Sequence, residues 1–175
     1  HLVSQPTGFN HYEILIGQGE YYNPTFLHQD GKSSVEEGYC TDVITDKSIK
    51  WLEQRDKEKP FILFVHHKAC HRNWLPPMKY LREYEDVAFP FPNNFWDDYE
   101  GRQAAKEQQM NIASNHDMDL IYDNKVYLPG DSSRLSSAYL AYANRLDAES
   151  RQTYWQFYDS LSRDFYKSKP TGKAL

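Results

Sequence analysis

Hydrophobic and polar positions change pattern several times along this chain, and each pattern predicts an element. Over residues 1–37 short apolar runs, at 12–16 and at Phe26-Leu27, are set off by Pro6-Thr7-Gly8, Gly17-Gln18-Gly19, Asn23-Pro24 and Asp30-Gly31. Turn residues between apolar runs predict one or two strands and a hairpin closed at Asp30-Gly31. From Thr41 onward Ile44, Ser48, Trp51, Leu52 and Arg55 recur at helical spacing, with Asp42 and Asp46 early and Lys57 late. That spacing predicts an amphipathic helix over about 41–56, capped by Thr41. The charged run Lys57-Glu58-Lys59 and Pro60 stop it, and residues 61–66 are then apolar or aromatic with no alternation. A run of that kind predicts a short strand buried on both faces, which makes helix and strand together half of a βαβ unit.

After Trp74 the texture becomes irregular. Pro76, Pro77, Pro90 and Pro92 flank aromatic residues as far as Phe95-Trp96, so 75–99 reads as a long loop with one helical turn near 79–84. Loops of this length in compact domains are usually functional. The composition of 101–110 suits a helix, 117–127 is ambiguous, and Gly130 is a break. A helix from about Ser132 would carry Leu135, Tyr139, Tyr142 and Leu146 on one face, and a further helix Trp155, Tyr158, Leu161 and Phe165, ending at Pro170 and Gly172. These stripes read as core contacts.

Chemistry concentrates just beyond the expected strand, where His66, His67, Lys68, His71, Arg72 and Asn73 follow one another closely. In open α/β sheets the loops past the carboxyl ends of strands are where functional groups collect. Three readings stand side by side: a hydrogen-bonded core histidine in a solvated loop, a metal site, and a pocket for a phosphate or sulfate ester. The metal reading lacks a carboxylate or cysteine at a familiar spacing, so no residue is assigned as a metal ligand. Imidazole, ammonium and guanidinium donors together suit an anion.

Composition narrows the partners. The chain of 175 residues has a formal net charge of −5, which argues against a nucleic-acid surface, and no apolar run approaches a membrane span. An anionic ligand would have to be captured locally. The fourteen tyrosines are read mainly as anchors that pack long loops. No signal peptide precedes the first turn, so a mature or excised segment is expected. Cys40 and Cys70 are too few for a disulfide framework, whether paired or free, and Asn23-Pro24-Thr25 is spoiled as a glycosylation acceptor by its proline.

The segment Tyr39-Cys40-Thr41-Asp42, the helix through Trp51-Leu52, then Pro60-Phe61-Ile62-Leu63-Phe64 and His67-Lys68-Ala69-Cys70-His71, resembles the middle of the formylglycine-dependent sulfatases. Their pattern there is Y-x-T-D, helix, P-F-F-L, strand, x-x-P-H. Within that family the chain looks most like the N-acetylglucosamine-6-sulfatase branch and related bacterial glycan sulfatases, an affinity shared by Asp97-Asp98-Tyr99-Glu100-Gly101-Arg102 and Ala104-Ala105-Lys106. The likeness extends weakly over 1–120, and the last 50 residues match in helical character only. Cys70 stands where the family usually has proline, which removes one φ constraint from the loop.

The resemblance implies an α/β fold, part of an alkaline-phosphatase-like sulfatase domain with a mixed sheet and packed helices, of which residues 1–175 would be the central portion. It implies hydrolysis of sulfate esters on sulfated carbohydrates, glycosaminoglycan or mucin-type glycans and 6-sulfated glucosamine among them. His71 falls on the family's catalytic histidine. Its neighbours lack that correspondence to the family motif: Lys68 is expected as a sulfate contact, Arg72 with Asn73 as sugar contacts, and His67 as a further substrate-binding residue. Calcium and formylglycine are expected in the complete enzyme, but neither cysteine lies in a C-x-P-S-R context and the family's metal-binding aspartates have no counterpart here. The nucleophile and calcium ligands are therefore expected from the remainder of the domain, and the location is expected to be periplasmic or secreted, or lysosomal in a eukaryote. A phosphodiesterase or phosphonate hydrolase of the same superfamily, or a non-catalytic glycan-binding module, are the alternatives.

Overall fold

The computed structural model describes residues 4–108, 120–128 and 143–171. Three short strands, β1 (Glu13–Leu15), β2 (Thr25–His28) and β3 (Ser33–Val35), form one antiparallel sheet in the order β1-β2-β3. Glu13 faces His28 across the first pair and Thr25 faces Val35 across the second. The hairpin between β2 and β3 closes where the sequence predicts. Gly31 takes φ +79°, its N–H donates to the carbonyl of His28 at 2.9 Å, and Asp30 Oδ1 accepts from Lys32 N at 3.0 Å. The turn after β1 needs glycine for a steric reason, because a Cβ on Gly19 would lie 2.7 Å from Leu15 Cδ1.

The helix α1 spans Cys40–Gln54, one residue earlier than expected, with Tyr39 rather than Thr41 at its N-cap. No side chain caps it. The carbonyl of Tyr21 instead accepts from Cys40 N at 2.8 Å, which satisfies one of the orphan donors of the first turn. Cys40 and Ile44 pack with Phe26 into a small core, with Leu15 and Val43 at its margin, so α1 covers the sheet. A larger core joins distant segments: Tyr21, Leu75, Leu81, Tyr127, Ala143, Leu146 and the inner face of a long helix. That helix, α3 (Ala148–Ser168), begins where Asp147 accepts from Ser150 N at 2.8 Å. Between α1 and α3 lie a 3₁₀ turn (Met78–Tyr80) within an otherwise irregular 75–99 and a short α2 (Gln103–Glu107). The expected helix from Ser132 through Tyr142 lies outside the described residues, as do 109–110 at the end of the 101–110 helix.

Two expectations are corrected. Residues 61–65 form no strand and are not buried: Ile62 is 81% exposed and Phe64 60%, and Leu63 is only partly covered. An all-apolar strand needs sheet neighbours on both edges and cover on both faces. Here Phe61 lies against Trp51 of α1 at 5.6 Å and under the Arg55 guanidinium at 4.7 Å, and Phe64 lies against Phe9 at 5.7 Å. The second correction concerns α3, whose buried face is Tyr154, Phe157, Tyr158 and Ser162, while Trp155 and Leu161 point outward. The predicted stripe is rotated because two hydroxyl groups turn inward to serve buried carbonyls. Tyr154 Oη donates to the carbonyl of Pro76, and Ser162 Oγ donates to that of Lys125 at 3.4 Å while accepting from Tyr127 N at 3.1 Å.

Candidate functional site

The loop after residue 65 has no ladder partner, so its carbonyls must find donors elsewhere. Tyrosines from three distant parts of the chain supply them. Tyr21 Oη donates to the carbonyl of His71 at 2.5 Å, Tyr39 Oη to that of Leu75 at 2.9 Å and Tyr22 Oη to that of Pro76 at 2.8 Å, where Tyr154 also donates. Tyr22 and Tyr39 meet edge to face at 5.2 Å, and Tyr154 stacks on Tyr158 at 5.8 Å. Burial pushes the Tyr21 phenol up to about 12, so it stays a neutral donor at working pH. Inside the loop, His71 N donates to the carbonyl of Lys68 at 2.8 Å and Trp74 Nε1 to that of Cys70 at 2.9 Å.

The sequence-predicted site residues divide by exposure. His66, His67, His71 and Arg72 face solvent, while Lys68 and Asn73 are buried. Lys68 Nζ donates to the carbonyl of Gln18 at 3.0 Å and lies 4.8 Å from the Tyr21 ring centroid; burial lowers its pKa from the usual lysine value. Asn73 is 1% exposed and its Oδ1 has no hydrogen-bond partner. His71 Nδ1 is hydrogen-bonded to the carbonyl of Arg72, which makes Nδ1 the protonated nitrogen and turns Nε2 outward.

Arg72 reaches across to a turn at 120–127 that sequence patterns leave ambiguous. Its Nε donates to Asp123 Oδ1 at 2.9 Å and its Nη2 to Oδ2 at 2.5 Å, while the guanidinium lies 5.4 Å from the Tyr122 ring centroid. The Asp123 side chain is completely buried and that of Arg72 is 41% exposed. Lys125 Nζ donates to the carbonyl of Asp123 at 2.7 Å, with the Tyr158 ring at 5.7 Å. A cleft of about 410 Å³ runs between the loop and the turn, with Cys70, Trp74, Tyr39, Asp123, Lys125 and Tyr158 among its walls. Arg72 thus pairs with the Asp123 carboxylate and Lys125 with its carbonyl, while Lys68 is held apart from them at the carbonyl of Gln18. Asp123 and Lys125 escape sequence reading. The only signal is the turn-forming Asp123-Asn124 pair, and nothing local joins it to Arg72.

One other cluster among the described residues has metal-ligating letters. Glu13, His28 and Glu36 bring ligand atoms within 4.8 Å of one another. It already contains a cation, since Lys47 Nζ lies 2.5 Å from Glu13 Oε2 and 3.3 Å from Glu36 Oε1. Burial would raise the Glu13 carboxyl, but the Lys47 ammonium holds it below the usual carboxylate range. The cluster therefore reads as a charge clasp between sheet and α1. Both cysteines are free, Cys40 buried and Cys70 exposed. No helix among the described residues is long and apolar enough to cross a membrane.

No protein-family model matches the chain. Individual proteins do. The chain is 43% identical, over an alignment of 182 residues that takes in its whole length, to an N-acetylglucosamine-6-O-sulfatase of Bacteroides thetaiotaomicron, of which it covers 32%. It is 27% identical over 99 residues to a human N-acetylglucosamine-6-sulfatase, a match to 54% of this chain and 18% of the relative. The solved structure of BT4656 in complex with its substrate, D-glucosamine-2-N,6-O-disulfate, superposes with a TM-score of 0.83 at 41% identity, covering 99% of this chain and 36% of that one. The chain thus spans about a third of the length of the bacterial relative. Its α/β architecture is that of part of an alkaline-phosphatase-like sulfatase domain. Its whole length aligns to one sulfatase and 99% of it superposes on BT4656, so the chain is similar from end to end to a part of these sulfatases.

Proposed function

We propose that residues 1–175 are the central portion of one sulfatase catalytic domain, which hydrolyses sulfate esters on sulfated carbohydrates, 6-sulfated glucosamine among them. The observation that carries this reading is the tyrosine-anchored loop, which leaves His71 exposed with its Nδ1 bonded to the carbonyl of Arg72, the arginine that pairs with Asp123. The names of the relatives, all sulfatases of N-acetylglucosamine 6-sulfate, support the substrate class. A periplasmic or secreted location goes with that class of substrate.

Calcium and formylglycine belong to the family's chemistry, but this chain's residues fit neither. Cys40 is fully buried with its thiol pushed up to about 11 by burial, and Cys70 is followed by His-Arg-Asn-Trp rather than x-P-S-R. The Glu13–His28–Glu36 cluster already holds the Lys47 ammonium. The nucleophile and the metal ligands are accordingly assigned to parts of the protein outside this chain.

Within this portion His71 is the catalytic residue. As the ester bond breaks, charge builds on the bridging oxygen, and a sugar alkoxide is a poor leaving group. His71, protonated and with Nδ1 already engaged, donates from Nε2 to that oxygen. His67 and Lys68 hold the sulfate, Lys68 by its field more than by reach. Arg72 contacts the sugar, and Asn73 offers Oδ1 to a donor arriving with the substrate. A positioned acid contributes roughly 10² to 10⁴ in rate. In the complete enzyme His71→Ala should therefore lose kcat by that order on a sugar sulfate and far less on a nitrophenyl sulfate, which departs without help. Equal losses on the two esters reject the acid role, and undiminished activity on both rejects the site.

A further inference from the structure

We infer that Asp123 is a positioning residue for His71, acting through Arg72. This rests on the reading of His71 as the acid. The carboxylate of Asp123 is completely buried and grips the Arg72 guanidinium with two bonds, 2.9 and 2.5 Å. The next link is the peptide of Arg72, whose carbonyl accepts from His71 Nδ1. Asp123 thus stands at one end of a chain of contacts whose other end is the tautomer and the aim of the imidazole.

The turn that carries Asp123 is itself fastened at several points. Val126 N donates to the carbonyl of Leu120 at 2.8 Å, Lys125 Nζ to that of Asp123 at 2.7 Å, and Tyr127 N to Ser162 Oγ of α3 at 3.1 Å. A fixed turn holding a fixed guanidinium leaves the Arg72 peptide little room to rotate. Tyr21 bonds the carbonyl of His71 from the other side at 2.5 Å. His71 is therefore tied at two points, its carbonyl by the Tyr21 phenol and its Nδ1 by the carbonyl of the arginine that Asp123 grips. Bidentate geometry matters here, because a single bond would allow the guanidinium to pivot.

The test uses the complete natural enzyme with Asp123→Asn, which keeps the shape and removes the charge. Misplacing a catalytic group by about 1 Å costs on the order of 100-fold. We expect kcat on 6-sulfated glucosamine to fall about 10- to 100-fold with KM little changed, nitrophenyl sulfate to be nearly unaffected, and no further loss when Asp123→Asn is added to His71→Ala. A full additional loss on the His71→Ala background, or equal losses for both esters, would overturn the inference. Should Asp123→Asn fail to fold, Asp123→Glu makes the same test, since it keeps the charge and displaces the two-pronged grip. An independent readout comes from nitrogen spectra of the histidine-labelled enzyme without substrate. There His71 should change from the Nδ1-protonated tautomer to a mixture in Asp123→Asn, and an unchanged tautomer would sink the idea. If His71→Ala itself affects both esters equally, the acid reading falls, and these spectra alone decide whether Asp123 positions the ring.

Discussion

Lys125 brings an ammonium group into a place with almost no water. It is 2% exposed, with the Asp123 carbonyl, the face of Tyr158 and the Asp123 charge in partial compensation, and burial lowers its pKa from the usual 10.5 to about 8. Between those two values the unfolded chain holds a proton that the folded chain has released. The unfolded state then binds more protons, so the Lys125 contribution to stability rises with pH across that window and is smallest below about 8. Lys125→Met keeps an apolar stem over Tyr158 and abolishes the titration. Urea midpoints measured for both proteins from about pH 7 to about pH 10.5 should converge or cross as pH rises, because only the parent gains. A midpoint difference that is flat over this range would show that Lys125 is not buried in its charged form.

At the scale of elements, the segment 61–65 separates what a local pattern encodes from what it does not. Its unbroken apolar run calls for cover on two faces, yet Ile62 remains 81% exposed while Phe61 meets Trp51 and Arg55 and Phe64 meets Phe9. If the covering strands belong to the rest of the domain, Ile62→Asp should act differently in the two settings. In the 175-residue chain the unfolding free energy from urea titration should change by less than about 0.5 kcal/mol. In the complete enzyme an unpaired buried carboxylate should cost several kcal/mol, and a small effect there would place the segment on the surface for good. The hairpin at Asp30-Gly31 and α1 were legible because turn chemistry and amphipathic spacing act between near neighbours. The inner face of α3 was misread because Tyr154 and Ser162 are polar by composition but are drawn inward by the carbonyls of Pro76 and Lys125. Of the candidate site, His71 could be found from its motif. Asp123 could not, since 51 residues separate it from the arginine it holds and neither residue is unusual where it stands.

Taken as a whole molecule, the chain spans 32% of its bacterial relative and leaves Ile62, Phe89 and Phe91 exposed at 81, 66 and 65%. The chain expressed by itself, even beside a formylglycine-generating enzyme, should show no turnover of an aryl sulfate above a His71→Ala control. Turnover above that control would mean that the nucleophile lies within these 175 residues after all. The tyrosines that tie down the His71 loop also dictate when that loop can take shape. Tyr39 bonds it from 36 residues away, Tyr21 and Tyr22 from 50 and 54, and Tyr154 from 78. Each closure spends chain entropy that is recovered only once both ends are in place, and the longest waits for α3 to leave the ribosome. A copy stalled or clipped before α3 consequently keeps the three earlier ties but lacks the Tyr154 bond to Pro76, so the end of the loop is the last part to be fastened.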